Sequence, residues 1–144
     1  MKPPTIDPKH WVVTASADHA ARGWAEGIVQ ANHGKNNPLR RMHPGDGVVI
    51  YSPRATYPAG PTLQAFTQIG RIADAAPFQH QIGAMLMWRR PVLWQNATPA
   101  PIRPLLTDLD LTRDLQSWGM AFRYGLTQLT KTDFARIARA MGVA

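Results

Sequence analysis

The sequence predicts a single α+β domain, a small β-barrel with helices at its ends. Its 144 residues are enough for one ordinary domain, and 44% of them are hydrophobic, so the chain can bury a substantial core. Glycine and proline contribute 11 and 13 residues, which favours a β-rich fold with many turns over a helix bundle. The patterned segments follow in the order strand, short helix, several strands and final helix, which is typical of an α+β barrel.

The first predicted element is a buried strand over residues 10–16, HWVVTAS, because this run is apolar and β-branched. A short helix follows it. Asp18 is the predicted N-cap of this helix, and Gly23 or Gly27 ends it.

The middle of the chain predicts three more strands. Residues 37–46, NPLRRMHPGD, form a turn or a short helix that Pro-Gly-Asp closes. Strands are then predicted over 47–53, which its terminal proline stops, over 63–74 and over 84–94. Residues 96–106 are rich in proline and are predicted to be irregular.

The C-terminal part predicts a last strand over 122–130 and then the clearest helix of the chain. Thr130 or Thr132 caps this helix, Asp133 favours its N-terminus and Gly142 ends it. Its apolar stripe consists of Phe134, Ile137, Ala138 and Met141.

The composition also bounds the compartment and the partner. A formal net charge of +7 favours a polyanionic partner such as nucleic acid. The absence of cysteine excludes disulfides and thiolate metal sites, and it suits a reducing compartment. The first residues lack the apolar core of a signal peptide, and no run approaches the length of about 18 apolar residues that a membrane span needs. We therefore expect a soluble, cytoplasmic protein without a membrane partner, in which residues 1–9 are a leader and 10–144 form one domain.

Side chains suited to catalysis or metal binding are scarce. The five histidines form no HxxxH or HExxH pair, so no metal is expected. Ser16, Ser52 and Ser117 all lie outside any GxSxG turn. Ser16 lies close in sequence to Asp18 and His19, but residues so close together across a strand-to-helix turn rarely align as a triad. With no glycine-rich phosphate loop either, the sequence predicts no catalytic residue and no cofactor.

Basic and aromatic side chains give a stronger indication of function. Four cations in and after the loop at 33–35 are candidates for phosphate contacts: Lys35, Arg40, Arg41 and Arg54. Most of the large aromatic residues are expected in the core, with two or three available for a stacking pocket. The composition alone therefore indicates a basic α+β barrel that is compatible with nucleic-acid binding.

Several segments of the sequence, taken together, carry a resemblance to a known family. HWVVTASADHAARG is followed by QANHGKNNPLRRMHPGD, YSP, LQAFTQIGRI, IRPLL and WGMAFRYG. In this order they resemble the EVE domain family, and the resemblance extends from about His10 to Met141. It implies a PUA-like fold, a small, partly open β-barrel flanked by short helices with a C-terminal helix, akin to the YTH and ASCH domains. It further implies a partner that is DNA or RNA, with a pocket for a modified base.

The resemblance also implies which residues form that pocket. They come from the end of the first strand, the loop after the first helix, the end of the second strand and the C-terminal part: Ser16, Asp18, His19, His33, Gly34, Tyr51, Ser52, Pro53, Trp118, Gly119, Phe122 and Arg123. In this hypothesis a flipped-out base stacks on Tyr51 or Trp118. The serines, His33 and backbone amides that Gly34 leaves accessible bind the base edge.

Three positions depart from the family pattern. Gly47 stands where members often have a bulky aromatic residue, Ile50 where a second tyrosine is frequent, and Trp24 where a small aliphatic residue is usual. These departures bear on the size of the pocket and on its preferred base.

Three functions are compatible with the sequence. The first is a non-catalytic module that binds a modified base in DNA or RNA. The second is a small enzyme that acts on a nucleotide or a modified base, with His19 or His33 as general base. The third is a protein that binds a small molecule or anion in a basic pocket. Binding of a polymer is distinguished from binding of a small ligand by an affinity that falls steeply with salt concentration. An enzyme is distinguished by turnover of a labelled oligonucleotide.

Overall fold

A computed structural model describes residues 7–31 and 34–143 of the chain. His33, one of the predicted pocket residues, lies outside these ranges, as do most of the predicted leader residues.

The described chain forms eight strands and three α-helices. The strands are β1 (His10–Thr14), β2 (Ile28–Val29), β3 (Gly47–Arg54), β4 (Thr62–Ile72), β5 (Phe78–Ile82), β6 (Met85–Trp94), β7 (Ala100–Pro101) and β8 (Leu126–Leu129). The helices are α1 (Ala17–Glu26), α2 (Asn36–Arg41) and α3 (Lys131–Ala140). Two 3-10 turns cover Arg103–Leu105 and Trp118–Phe122.

The strands form one curled mixed sheet in the order β2-β6-β4-β3-β1-β8, with β5 paired to β6 and β7 paired to β4. The pair β1–β3 is parallel, with Val12 beside Val49, and the other pairings are antiparallel. A parallel pair needs a long crossover, which the segment containing α1, β2 and α2 provides. The predicted α+β fold, a partly open barrel with short helices and a C-terminal helix, is confirmed.

The alternation of side chains along β1 divides the core into two parts. Val12 points to one face, where Phe66, Phe122 and the apolar stripe of α3 form the first core cluster. Trp11 and Val13 point to the other face, where residues of α1 and α2 form the second cluster. The two clusters lie on opposite sides of a sheet one strand thick, so a site on one face is separated from a site on the other.

Helix α3 follows its sequence signals closely. Thr130 is the N-cap, and its hydroxyl accepts a hydrogen bond from the backbone N–H of Asp133 at 3.0 Å. The predicted apolar stripe of Phe134, Ile137, Ala138 and Met141 is buried in the first cluster.

The predicted boundaries of the first two predicted strands are wrong. β1 ends at Thr14, and Ser16 occupies the N-cap position of α1, so Asp18 lies in the first turn and is not the cap. The predicted second strand does not stop at Pro53 but continues to Arg54. Pro53 has no N–H to donate, and the ladder with β4 accommodates it by a register shift between Ser52 and Arg54.

One further prediction of secondary structure needs correction. The predicted strand over 122–130 is only β8, because Phe122 belongs to the second 3-10 turn. The predicted strand over 84–94 is found as β6, and it pairs with β5, a strand that the sequence pattern did not predict. The β5–β6 hairpin is largely exposed, and its apolar side chains include Phe78, Met85 and Leu86.

Candidate functional site

The carboxyl ends of β1 and β3 lie side by side because the two strands are parallel, with Thr14 beside Tyr51. Beside these ends, on the face of the first core cluster, lies a cleft of about 350 Å³. We call it the aromatic cleft. Its lining residues are Thr14, Tyr51, Pro53, Gln64, Gln116, Ser117, Trp118, Gly119 and Phe122.

Three aromatic rings shape this cleft. Tyr51 stacks on Phe122 with ring centroids 4.1 Å apart and planes at 24°, and Trp118 meets Tyr51 edge-on at 6.3 Å and 85°. Tyr51 is only 3% exposed, and its burial raises the pKa of its hydroxyl to about 12. Tyr51 and Phe122 therefore form the floor of the cleft. Since Tyr51 has no free ring face, Trp118 is the more exposed of the two rings that the resemblance suggested for stacking.

The turn that carries Trp118 is held by hydrogen bonds from neighbouring strands. The Thr14 hydroxyl donates to the Phe122 carbonyl oxygen at 3.2 Å, and the Thr127 hydroxyl donates to the Ala121 carbonyl oxygen at 3.1 Å. These bonds anchor the 3-10 turn to β1 and β8, so the position of the indole depends on the sheet.

One edge of the cleft carries a cation that the sequence analysis did not identify. The guanidinium carbon of Arg103 lies 5.8 Å from the ring centroid of Trp118, and its Nε donates to Gln64 Oε1 at 3.0 Å. Gln64 has a φ of +54°, an uncommon conformation for a residue with a side chain. Gln64 thus keeps an uncommon backbone conformation while it binds the arginine that lies over Trp118. Such conformations are often found at functional sites.

Ser16, Asp18 and His19 do not line the aromatic cleft. The Ser16 hydroxyl donates to Asp18 Oδ1, and this bond, together with the backbone N–H of His19 and nearby positive charge, lowers the pKa of the Asp18 carboxyl. The exposed ring of His19 lies against Tyr57 with centroids 5.3 Å apart. Ser16 therefore bonds to the carboxylate, and no catalytic triad forms here.

Gly34 lies against β6, on the other side of the molecule from the cleft. Its N–H donates to the Ala31 carbonyl oxygen at 3.1 Å, and its own carbonyl oxygen accepts from Trp88 N–H at 2.8 Å. A Cβ at Gly34 would lie 2.8 Å from Met87 Cβ. The close approach that requires glycine here is the approach to β6, and the N–H of Gly34 itself is already hydrogen-bonded.

The predicted phosphate contacts are divided between two surfaces. Lys35, Arg40 and Arg41 are exposed on or beside α2, which packs on the second core cluster, and the Arg41 guanidinium carbon lies 5.1 Å from the Trp11 ring centroid. Arg54 instead follows a residue of the cleft and donates to the Gly60 carbonyl oxygen at 3.0 Å. The first three cations therefore lie across the sheet from the aromatic cleft.

The remaining predicted residues divide in the same way. Ser52 is completely buried and its hydroxyl is 2.8 Å from the Thr67 hydroxyl, so it does not line the cleft. Pro53 does line it. Arg123 is exposed and directly follows Phe122.

Two of the departures from the family pattern lie in the core rather than in the cleft. A Cβ at Gly47 would lie 2.7 Å from His10 Cδ2 and from Phe134 Cζ, so these two rings fill the space that a larger residue would need. Ile50 is buried in the second cluster. The third departure, Trp24, is exposed on α1.

The described residues contain neither a cluster that could bind a metal nor a helix that could span a membrane. Within residues 7–31 and 34–143, no three or more His, Asp or Glu side chains are grouped so that they could hold a metal ion. No helix in that part of the chain is long and apolar enough to cross a membrane.

Comparison with known proteins places this geometry in a family. Residues 9–140 match the EVE domain. The chain belongs to the EVE domain family. A UPF0310 protein of Mesorhizobium japonicum is 46% identical over 136 residues, covering 92% of this chain and 91% of the relative. A UPF0310 protein of Mycolicibacterium vanbaalenii is 44% identical over 133 residues, with 92% of each chain covered.

Solved structures share the fold of this EVE domain at low sequence identity. The YTH domain of the Zygosaccharomyces rouxii MRB1 protein, solved in complex with N6-methyladenosine RNA, has a TM-score of 0.61 at 13% identity, covering 96% of this chain and 92% of that chain. A crystal structure of an Agrobacterium tumefaciens protein has a TM-score of 0.57 at 13% identity, with 94% of each chain covered. The EVE and YTH chains therefore have the same curled half-barrel.

Proposed function

We propose that this EVE domain binds nucleic acid without turning it over, and that the aromatic cleft receives one unstacked base. The observation that carries the proposal is the cleft itself, where a half-buried indole stands over an aromatic floor among uncharged polar side chains. The shared fold supports the class of partner, because a YTH domain of this fold was solved with N6-methyladenosine RNA. The experiment described below distinguishes DNA from RNA and identifies which modification of the base is preferred.

The physical balance favours this use of the cleft. Unstacking a base costs a few kcal/mol. Stacking on an aromatic side chain contributes about 1–3 kcal/mol, which Trp118 can supply. The amides of Gln64 and Gln116 and the hydroxyl of Ser117 then provide hydrogen bonds to the base edge. A base modification that fills or fails to fill the remaining space would change affinity by about 1–3 kcal/mol.

Cations next to the cleft suit the flanking phosphates. Arg103 lies at the Trp118 ring, and Arg54 and Arg123 each directly follow a lining residue. Arginine binds phosphate oxygens in a bidentate manner, and each neutralised phosphate releases counterions. These three arginines replace Lys35, Arg40 and Arg41 as the expected phosphate contacts of the cleft.

The lining supports binding more than catalysis. The titratable side chain among the lining residues is Tyr51, and a pKa of about 12 keeps its proton in place at neutral pH. His19, a candidate general base in the sequence, does not line the cleft. A protein for small anions would show a shallow salt dependence, whereas a polymer binder that neutralises several phosphates loses affinity steeply with salt.

The test is titration of the protein with matched single- and double-stranded DNA and RNA oligonucleotides at two salt concentrations. Each is used bare and with 5-methylcytosine, 5-hydroxymethylcytosine or N6-methyladenine. We expect Trp118→Ala to weaken the preferred strand about 5- to 150-fold, which corresponds to the loss of one stacked base. Arg103→Gln should weaken all strands and reduce the salt slope by about 1.

Arg41→Gln is the matched control, because it removes the same charge from the other face of the sheet. If Arg41→Gln weakens binding while Trp118→Ala and Arg103→Gln do not, the nucleic acid binds the α2 surface and the proposal is wrong. Conversion of the oligonucleotide by the purified protein would favour an enzyme instead.

A further inference from the structure

Strand β5 has one edge without a partner strand in the described part of the chain. Its ladder with β6 aligns Phe78 with Arg89 and Ile82 with Met85, and β5 makes no other pairing within residues 7–31 and 34–143. All five of its residues are exposed. Its sequence, FQHQI, contains neither a charged residue nor a proline, two of the features that keep edge strands from pairing with another chain.

The ladder between β5 and β6 shows which backbone groups point to this free edge. The Trp88 N–H donates to the Gly34 carbonyl oxygen at 2.8 Å, and not to Gln79, its partner in β5. Gln79 and Trp88 are therefore a non-hydrogen-bonded pair, and the two kinds of pair alternate along an antiparallel ladder. The backbone N–H and C=O groups of Gln79 and Gln81 consequently point to the free edge, whereas those of His80 bind β6.

The sequence of β5 is nearly palindromic about His80. Gln79 and Gln81 flank the histidine, and an apolar residue, Phe78 or Ile82, stands at each end. A contact between two identical surfaces requires such self-complementarity. Antiparallel pairing of two β5 strands about His80 places Phe78 opposite Ile82, and it places the outward backbone groups of Gln79 opposite those of Gln81. These glutamines form the hydrogen-bonded pairs, and the two copies of His80 meet in a non-hydrogen-bonded pair.

Exposed apolar side chains would be covered by such a pairing. Phe78, Ile82 and Met85 lie on one face of the hairpin, because alternate residues and cross-strand partners share a face. Their exposed fractions are 40%, 46% and 60%. Cross-strand pairs of an aromatic and a β-branched residue stabilise antiparallel sheets, and Phe78 opposite Ile82 is such a pair.

The charge of the hairpin favours a second copy over an anionic partner. Residues 75–88 contain no Lys, Arg, Asp or Glu, although the whole chain has a net charge of +7. Two copies can therefore meet through β5 without placing like charges at the contact. The same segment offers no Lys or Arg to the phosphates of a nucleic acid.

We propose that this protein forms a two-fold homodimer through β5, in which two β5–β6 hairpins join into a four-stranded antiparallel sheet centred on His80. The strand has five residues, fewer than the roughly 20–30 residues a side of a standard interface, so we expect a weak dimer with a dissociation constant of about 1–100 μM. None of the residues that line the aromatic cleft belongs to β5 or β6, and the proposal does not rest on the function of that cleft.

A cross-linking experiment tests the register of the two strands, because the chain contains no cysteine of its own. In the proposed dimer the two His80 Cα atoms lie about 4.5 Å apart, a separation that a disulfide can span. We expect His80→Cys to form a covalent dimer under mild oxidation. Ile82→Cys is the matched control, because it is exposed on the same strand but faces Phe78 of the second copy, so it should remain monomeric. Equal cross-linking of the two variants, or none in either, would overturn the proposal.

Sedimentation velocity of the unsubstituted protein over about 1–500 μM tests the dimer without any cross-link, and we expect a shift from monomer to dimer in this range. His80→Lys brings two ammonium groups face to face and should raise the dissociation constant about tenfold or more. Gln128→Lys is the matched control, because it adds the same charge at an exposed position of β8, the strand at one end of the sheet.

A protein that stays monomeric over the whole concentration range would overturn the proposal. A dimer that Gln128→Lys weakens as much as His80→Lys would overturn it as well, since the contact would then not be specific to β5. Melting temperatures show whether each lysine variant is folded, and the two cysteine variants decide the outcome if His80→Lys is not.

Discussion

The hydroxyl of Tyr51 links the floor of the aromatic cleft to a measurable pH dependence. Burial raises its pKa from an ordinary value near 10 to about 12. Above pH 10 the unfolded chain therefore loses this proton before the folded chain does. The folded state therefore keeps its full stability with respect to this group below about pH 10, and it loses stability relative to the unfolded state as the pH rises towards 12. Tyr51 should cost the fold about 1.4 kcal/mol at pH 11 and about 2.7 kcal/mol once both states are ionised.

Tyr51→Phe is the matched variant, because it keeps the ring on Phe122 and removes only the group that titrates. Urea unfolding of both proteins between pH 7 and pH 11 gives the difference in unfolding free energy at each pH. We expect this difference to be nearly constant up to pH 9 and then to shift by about 1.4 kcal/mol in favour of the phenylalanine variant at pH 11. The phenolate absorbance lost in the variant, one of three tyrosines, reports the same titration directly.

Parallel stability curves for the two proteins would refute this account. So would a phenolate of Tyr51 that forms near pH 10 in the folded protein. Either result would mean that water reaches the hydroxyl, and that Tyr51 does not form a closed floor beneath Trp118.

Three further substitutions test how the fold holds its loops and helices. Asp46→Ala removes an acceptor of three hydrogen bonds, including a buried indole N–H at 2.9 Å, and should lower the free energy of unfolding by about 3 kcal/mol in urea titration. Gly34→Ala should lower the melting temperature more than Gly45→Ala, because both positions have positive φ but only the first would place a Cβ against a neighbouring strand; equal effects would contradict that contact. Thr130→Ala should cost about 1 kcal/mol and Thr132→Ala less than about 0.5 kcal/mol in the same unfolding assay, and the reverse order would move the cap.

The signals of α3 were predicted well because they depend on residues close together in sequence. The cap and apolar stripe of α3 lie within a dozen residues, and both are found as expected. By contrast, β5 is exposed along its whole length and exists through its pairing with β6, so periodic burial could not reveal it. Pro53 indicated a strand end, but the register shift against β4 lets β3 continue past it.

The candidate site was predicted only in part, because some of its contacts join residues that are far apart in the sequence. The resemblance identified five residues that line the aromatic cleft: Tyr51, Pro53, Trp118, Gly119 and Phe122. It did not identify Arg103, whose contacts with Gln64 and Trp118 join residues far apart in the chain. The basic residues of PLRRM were expected to bind phosphates beside this pocket, but they lie on α2, which packs on the second core cluster across the sheet.

Strand β4 shows why a sequence pattern alone could not assign its two glutamines to the faces of the sheet. Gln64 and Gln68 are four residues apart, so regular alternation would place both side chains on one face of the sheet. Phe66 pairs with Tyr51 whereas Gln68 pairs with Ile50, so the intervening Thr67 is an extra residue in the ladder. That bulge turns Gln68 away from the face of Phe66 and towards α1. One strand thus supplies a glutamine to the aromatic cleft and another to the opposite face of the sheet, and only its register with β3 assigns each to its face.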